Sequence, residues 1–287
     1  MARRFRKFTG EAAFALMQDH AIRNAFLPPT ALRMLRLVPN PGRWTLNLRS
    51  VASGGETLGK DLIAWGQDVL GVTINEFYGQ TECNMIVSSC AVLEPAEPGV
   101  MGFAVPGHAV EVLSTDKRRC EAGEEGEIAV LAPDPVMFLG YWNNPAATAE
   151  KVVTAHGERW LLTGDRGERT ASGRLRFIGR DDDIIASSGY RIGPSEIEDC
   201  LLTHPAVERA GVVGKPDATR GEIVVAFVQL IAGANATEAL REEIGAHVRE
   251  RLAAYEYPRR VVFLNAMPLT TTGKLKRGDL RRRAAEL

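Results

Sequence analysis

The 287-residue chain is 45% hydrophobic with no apolar run long enough to span a bilayer, which predicts a soluble globular protein of one large or two ordinary domains. Its formal net charge of -1 gives no electrostatic reason to expect nucleic acid as a partner. The cysteines Cys83, Cys90, Cys120 and Cys200 form no CxxC pair, so neither a zinc site nor a disulfide framework is indicated, and a reducing cytoplasm is the expected compartment.

The chain opens on MARRFRKF, basic but with no apolar stretch behind it, which is not the pattern of a secretory signal. A helix is predicted from about Glu11 to His20 with Thr9 as its cap, followed by a strand over Ala21 to Leu27. Pro28-Pro29-Thr30 then starts a second helix near Ala31 to Leu37. Arg49 to Ser53 reads as a strand running into Gly54-Gly55-Glu56, and Leu58, Leu62, Trp65 and Val69 mark one face of the next helix. Val72 to Phe77 is a further strand, with Tyr78-Gly79-Gln80-Thr81-Glu82 as its exit loop. Two consecutive strand-helix-strand units predict a parallel sheet with a ligand crevice along its carboxyl edge.

Each polar group near these strand ends has a chemistry it could serve. A Gly-Gly turn lets the backbone approach a flat base on which Tyr78 could stack. The Thr81 hydroxyl can donate to a phosphate oxygen, and the Glu82 carboxylate can hold magnesium, which prefers hard oxygen ligands. The alternative is that both stretches are ordinary turns.

From Pro98 to Ala132 the sequence is rich in turns and strands, with a clear strand at Gly126 to Leu131. Phe138 to Trp142 and Asn143-Asn144-Pro145 read as scaffold opening a short helix. Trp160 to Thr163 is a strand whose end presents Gly164 and Asp165, and a hairpin turning at Ala171-Ser172-Gly173 follows. Asp181, Asp182 and Asp183 cannot all be buried side by side, so an exposed joint between two packed bodies is expected there. Beyond it lies an α+β unit: a strand over Asp183 to Ser187, a helix over Pro194 to Thr203, strands at Val207 to Gly214 and Ile223 to Leu230, an amphipathic helix with Leu240, Ile244, Val248 and Leu252, and a strand at Arg259 to Leu264. Thr270-Thr271-Thr272-Gly273-Lys274 is not a Walker A loop, since Pro268 and Leu275 stand where glycine and Ser or Thr are needed.

The motifs TGD, GRxDDxI and SGYRIGPSEIE, together with EFYGQTE at 76 to 82 and PLTTTGKLKRGDLR at 268 to 281, occur in one order along the chain. This pattern resembles the adenylate-forming enzymes, in particular their acyl-CoA synthetase branch. The resemblance implies an α/β fold: the C-terminal part of an acetyl-CoA synthetase-like large domain, with a parallel sheet and a small β-barrel subdomain, over 1–181. A small swivelling α+β domain would follow over 182–287. It implies ATP, Mg2+ and coenzyme A as cofactors and a carboxylic acid as substrate.

By the same resemblance Gly54, Gly55 and Glu56 lie near adenine, Tyr78 lies against the ring, Thr81 on the α-phosphate and Glu82 on the metal. Asp165 would bind the ribose hydroxyls with Arg180 beside it, although a strand-end aspartate can also simply cap a turn. Arg191 would reach phosphate, Gly189 would border the pantetheine tunnel, and Lys274 would orient the attacking carboxylate. Asp182 falls at the hinge, with Asp181 beside it where an uncharged residue is common. LPPTALRML at 27 to 35 resembles a segment bordering the acyl pocket, with a plain strand-loop-helix as the alternative. Gly79 stands where acetate-specific members have tryptophan, which implies a longer or bulkier acid; the alternative is a glycine supplying positive φ.

No run resembling the family's Ser/Thr/Gly-rich phosphate loop occurs in the chain. Three expectations follow: a truncated or split acid-CoA ligase completed by an upstream half in trans, a non-catalytic nucleotide- or CoA-binding protein, or an autonomous synthetase.

Overall fold

The computed structural model describes residues 8–56, 58–270 and 274–287. The chain divides into two compact units, the first reaching to Phe177 and the second running Ile178–Leu287.

The first unit begins with α1, Gly10–Asp19, whose cap is Thr9 accepting from the Ala12 amide. Then come β1 (Asn24–Phe26), α2 (Pro29–Arg36), β2 (Ser50–Gly54), α3 (Lys60–Trp65) and β3 (Ile74–Gln80). Pro29 occupies the first turn of α2, where its missing N–H costs nothing. Past Trp65 the chain widens into a π-turn over Gly66–Leu70. Strands β1, β2 and β3 pair in parallel, and Phe14, Leu32, Leu35, Leu58, Leu62 and Ile74 form the core packed on them.

The sheet then turns antiparallel through β4 (Asn84–Ser88), β5 (Val100–Ala104), β6 (Val110–Leu113) and β7 (Glu125–Ala132). After α4 (Pro145–Lys151) come β8 (Val152–Ala155), β9 (Glu158–Arg169) and β10 (Leu175–Arg180). The spatial order is β1-β2-β3-β4-β5-β10-β9-β7-β6, with β8 on β9. A second core of Ile86, Val87, Met101, Val112, Ile128, Val130, Leu161 and Leu175 fills this half.

Two strands run further than their patterns suggest. Tyr78, Gly79 and Gln80 are not an exit loop: they remain in β3 and pair with β4, because the chain reverses only at Thr81–Cys83. Asp165 is not at a strand end either. It lies within β9, where Gly164 at φ +74 and a register shift against β7 make a bulge.

The second unit holds β11 (Ile185–Ser187), β12 (Tyr190–Ile192), α5 (Pro194–Leu202), β13 (Val207–Asp217), β14 (Gly221–Leu230), α6 (Glu238–Arg249), β15 (Arg260–Phe263) and α7 (Arg277–Ala285). Its sheet order is β12-β11-β14-β13, with β15 parallel to β14. The period of two along β13 and β14 explains why helices cover both faces. Val212, Val224, Ala226 and Val228 pack with Ile197, Leu201, Ile244 and Val248 of α5 and α6, while Val213, Val225 and Phe227 pack with Leu280 and Ala284 of α7. Ser188 and Gly189, both at positive φ, make the two-residue turn joining β11 to β12.

The three aspartates are not uniformly exposed. Asp181 and Asp182 face solvent, but the Asp183 side chain is only 10% exposed and lies between Arg277 and Arg281. A buried carboxylate is tolerated where cations meet it, and α7 supplies two. Among the described residues no helix is long and apolar enough to cross a membrane.

Candidate functional site

In the first unit the parallel ladder sets the ends of β1 and β2 beside the middle of β3: Gly54 lies opposite Phe77, and the Phe26 and Phe77 rings are 5.2 Å apart. Gly54 is required by this packing, since a Cβ there would sit 2.6 Å from the Phe77 carbonyl oxygen. Gly55, at φ +93, turns the chain away. The Glu56 carboxylate folds back onto α2, accepting from Thr30 Oγ1 at 3.2 Å and from Arg33 Nη1 at 3.1 Å. Through Thr30 and Arg33 the LPPTALRML segment therefore touches the Gly-Gly-Glu turn.

The centre of the site is Asp165, only 4% exposed. Tyr78 Oη donates to its Oδ2 at 2.6 Å, and Gln80 Nε2 donates to the same oxygen at 2.6 Å and to the Thr163 carbonyl at 2.9 Å. Thr163 Oγ1 donates to the Ile128 carbonyl at 2.7 Å and accepts from the Asp165 amide at 3.1 Å, fixing the bulge that aims the carboxylate. Burial, then the Asp165 charge, raises the Tyr78 phenol well above its ordinary pKa, so it stays a donor. Gln80, an uncharged residue beside the threonine and glutamate of its motif, carries no sequence signal of this role.

At the turn after β3, Thr81 is exposed and Glu82 Oε1 accepts from Tyr141 Oη at 2.6 Å. The Glu82 carbonyl accepts from the Phe138 amide at 2.7 Å. The segment read as scaffold thus positions the proposed metal-holding carboxylate. Among the described residues no group of three or more His, Cys, Asp or Glu could hold a metal ion. A lone carboxylate fits magnesium, which is commonly held by one or two carboxylates together with substrate phosphates and water.

Gly79 adopts no positive φ, so the turn explanation for this glycine fails. A Cβ there would lie 1.7 Å from the Asn84 carbonyl oxygen on β4, which is sufficient reason for glycine. Beside it, burial pushes the Cys83 thiol from 9.0 up to about 11. The folded chain therefore holds this proton after the unfolded chain has lost it, so stability present below pH 9.0 declines as pH rises through about 11. Denaturant titrations should show a fall of about 2 kcal/mol in the first unit over that window, part of which Cys83→Ala removes.

In the second unit Arg180 Nε lies 3.2 Å from Asp182 Oδ1, and Arg191 Nη2 lies 3.2 Å from Asp181 Oδ1. Gly189, at φ +85, has open space where a Cβ would stand. Lys274 is exposed; Leu269 and Leu275 form a bridge, and Thr270 Oγ1 accepts from the Lys274 amide at 3.0 Å. Thr271, Thr272 and Gly273 of the Thr-Thr-Thr-Gly-Lys stretch lie outside the described residues. The structure therefore groups Tyr78, Thr81, Glu82 and Asp165 with Gly54 and Gly55 in one unit, and carries Arg180, Asp182, Gly189, Arg191 and Lys274 on the other.

Residues 1–142 match the family model of the AMP-binding enzymes, and residues 196–274 match that of the AMP-binding enzyme C-terminal domain. The chain is 37% identical over 284 residues to the uncharacterised acyl-CoA ligase YtcI of Bacillus subtilis, covering 98% of this chain and 52% of that protein. It is 37% identical over 282 residues to the human mitochondrial acyl-coenzyme A synthetase ACSM2B, covering 96% of this chain and 48% of the relative. It thus spans about half the length of the curated relatives it matches. Among solved structures, the anthranilate CoA ligase AuaEII in complex with anthranoyl-AMP matches with a TM-score of 0.84 at 29% identity, over 96% of this chain and 52% of that one. A benzoate CoA ligase from Burkholderia xenovorans LB400 matches at 0.81 and 31%, over 96% and 54%. Segments of both units thus match one enzyme group, and the chain belongs to the AMP-binding, adenylate-forming superfamily.

Proposed function

We propose that the chain forms the adenosine-holding and acyl-transferring part of an ATP-dependent acid-CoA ligase. In the reaction a substrate carboxylate oxygen attacks the α-phosphorus of ATP, pyrophosphate leaves, and an acyl-adenylate results. The CoA thiol then attacks the acyl carbonyl, losing its proton, and AMP departs. Relatives named acyl-CoA ligases and a solved neighbour binding an acyl-AMP support this reading.

The observation that carries it is the buried Asp165 carboxylate gripped by Tyr78 and Gln80. Two acceptor oxygens suit a vicinal diol, and Tyr78 and Gln80 stand where ribose hydroxyls would compete for the same oxygen. Gly54, Gly55 and Glu56 border the base, and Thr81 donates to the α-phosphate. Glu82, steadied by Tyr141, would hold Mg2+, which offsets phosphate charge when bound. Arg180 and Arg191 exchange their aspartate partners for ribose and phosphate as the second unit swings about Asp182. Lys274 then orients the carboxylate, and Gly189 borders the CoA arm.

An acid bulkier than acetate is proposed, with the paired Phe26 and Phe77 rings as apolar surface for it. Contacts to the outer phosphates come from the remaining half of the enzyme, in the same or a second polypeptide. The four free thiols fit a reducing compartment such as the cytoplasm.

Carboxylate-dependent ATP-pyrophosphate exchange, measured over a panel of acids with and without a segment bearing the phosphate loop, tests this. Exchange with benzoate-sized or medium-chain acids once that segment is supplied is expected. AMP binding without exchange under any condition would favour a non-catalytic binding protein.

A further inference from the structure

The proposed hinge at Asp182 lies against an arginine pair from α7. Asp183, one residue on, is almost enclosed, and burial raises its pKa against the opposing pull of Arg277 and Arg281. Its two oxygens are divided between these guanidinium groups: Arg277 Nε meets Oδ2 at 3.2 Å, and Arg281 Nη2 meets Oδ1.

The two arginines are anchored differently. Arg277 is mostly buried and forms a fork on Glu198, with Nη1 2.5 Å from Oε1 and Nη2 2.7 Å from Oε2. Its Nη1 also donates to the Val212 carbonyl at 3.0 Å, and Glu198 in turn accepts from the Val212 amide at 2.7 Å. Arg277 is therefore tied to α5 and β13 and serves as a fixed post. Arg281, four residues along the same face of α7, is 38% exposed. Its Nη2 donates to the Asp183 carboxylate and to the backbone carbonyl of Asp182.

That second bond has a geometric consequence. A carbonyl oxygen turns with the ψ of its own residue, so a group holding the Asp182 oxygen fixes the torsion a hinge at that residue must change. The helix that holds it begins three residues beyond Lys274. We propose that Arg281 is a positioning residue that latches the Asp182 peptide in one torsional state, with the Arg277–Glu198 fork as the post that keeps α7 in place. The functional meaning of the latch rests on the hinge reading above; its existence does not.

Hydrogen exchange on the intact chain without ATP or CoA tests it. The Asp183 and Ile184 amides donate to the Arg180 carbonyl, each at 3.0 Å, and report the segment directly. In Arg281→Met their exchange should rise at least tenfold, while the amides of α5 and β13, held by Arg277, keep their wild-type rates. Arg281→Lys, which retains the charge and can keep one bond, should restore most of the protection. Asp183→Asn should loosen the same two amides and serves if Arg281→Met folds poorly. Unchanged exchange at Asp183 and Ile184, or a rise shared equally by α5 and β13, would overturn the latch. Because no substrate is present, a negative result leaves the ligase reading standing, and an inactive chain leaves the latch standing.

Discussion

Replacing Gly79 by alanine is expected to lower the unfolding free energy of the first unit by about 3 kcal/mol or more. The added Cβ would meet the Asn84 carbonyl oxygen at 1.7 Å, the Asn84 carbonyl carbon at 2.6 Å and the Met85 Cα at 2.9 Å. All three are backbone atoms of the facing strand, so no rotamer change relieves the overlap and the hairpin must splay. Splaying also pulls at Tyr78 and Gln80, the residues on either side, which hold Asp165. For a unit of this size the loss corresponds to roughly 6–12 °C in Tm, readable as an earlier first transition in a thermal scan. An unchanged transition would mean that the strands pair more loosely at this point. A larger side chain such as tryptophan at this position would meet the same backbone atoms and require a rebuilt hairpin.

Lys274→Ala should separate activity from stability. The side chain is exposed, and the Lys274 amide bond to Thr270 Oγ1 does not involve it, so unfolding should shift by less than about 0.5 kcal/mol. Pyrophosphate exchange, in whichever preparation supports it, should fall by about 10²–10³, the usual cost of removing one group that stabilises developing charge. Transfer from a supplied acyl-adenylate to CoA should fall much less, since that step has no attack on phosphorus. Equal losses in both half-reactions would argue that the lysine serves the fold or the thiol step instead.

Much of the architecture is written in local pattern. Thr9 as a cap, the spacing of Ile244 and Val248 in α6, and the alternation along β13 and β14 each needed only neighbours in sequence. What local pattern could not reveal were the pairings across the chain. Tyr78 and Asp165 are 87 residues apart, as are the ends of no turn, and their contact follows from two strands brought together by the sheet. Gln80 and Tyr141 carry no charge and look like filler until the fold sets them against carboxylates. β3 and β9 overran their expected ends because ladder partners, β4 and β7, lie beside them. Asp183 looked exposed beside two other carboxylates, yet arginines nearly a hundred residues later on α7 make its burial tolerable.

The most direct measurement is calorimetric titration of AMP into the chain and into its Asp165→Asn variant. Asparagine keeps the shape and an acceptor for Tyr78 and Gln80 while removing the charge that a ribose diol would meet. The wild-type chain should bind AMP, and the variant should bind it about 10–100-fold more weakly at a temperature well below the Tm of either protein. Equal affinity in the two proteins would contradict a nucleotide site built on Asp165.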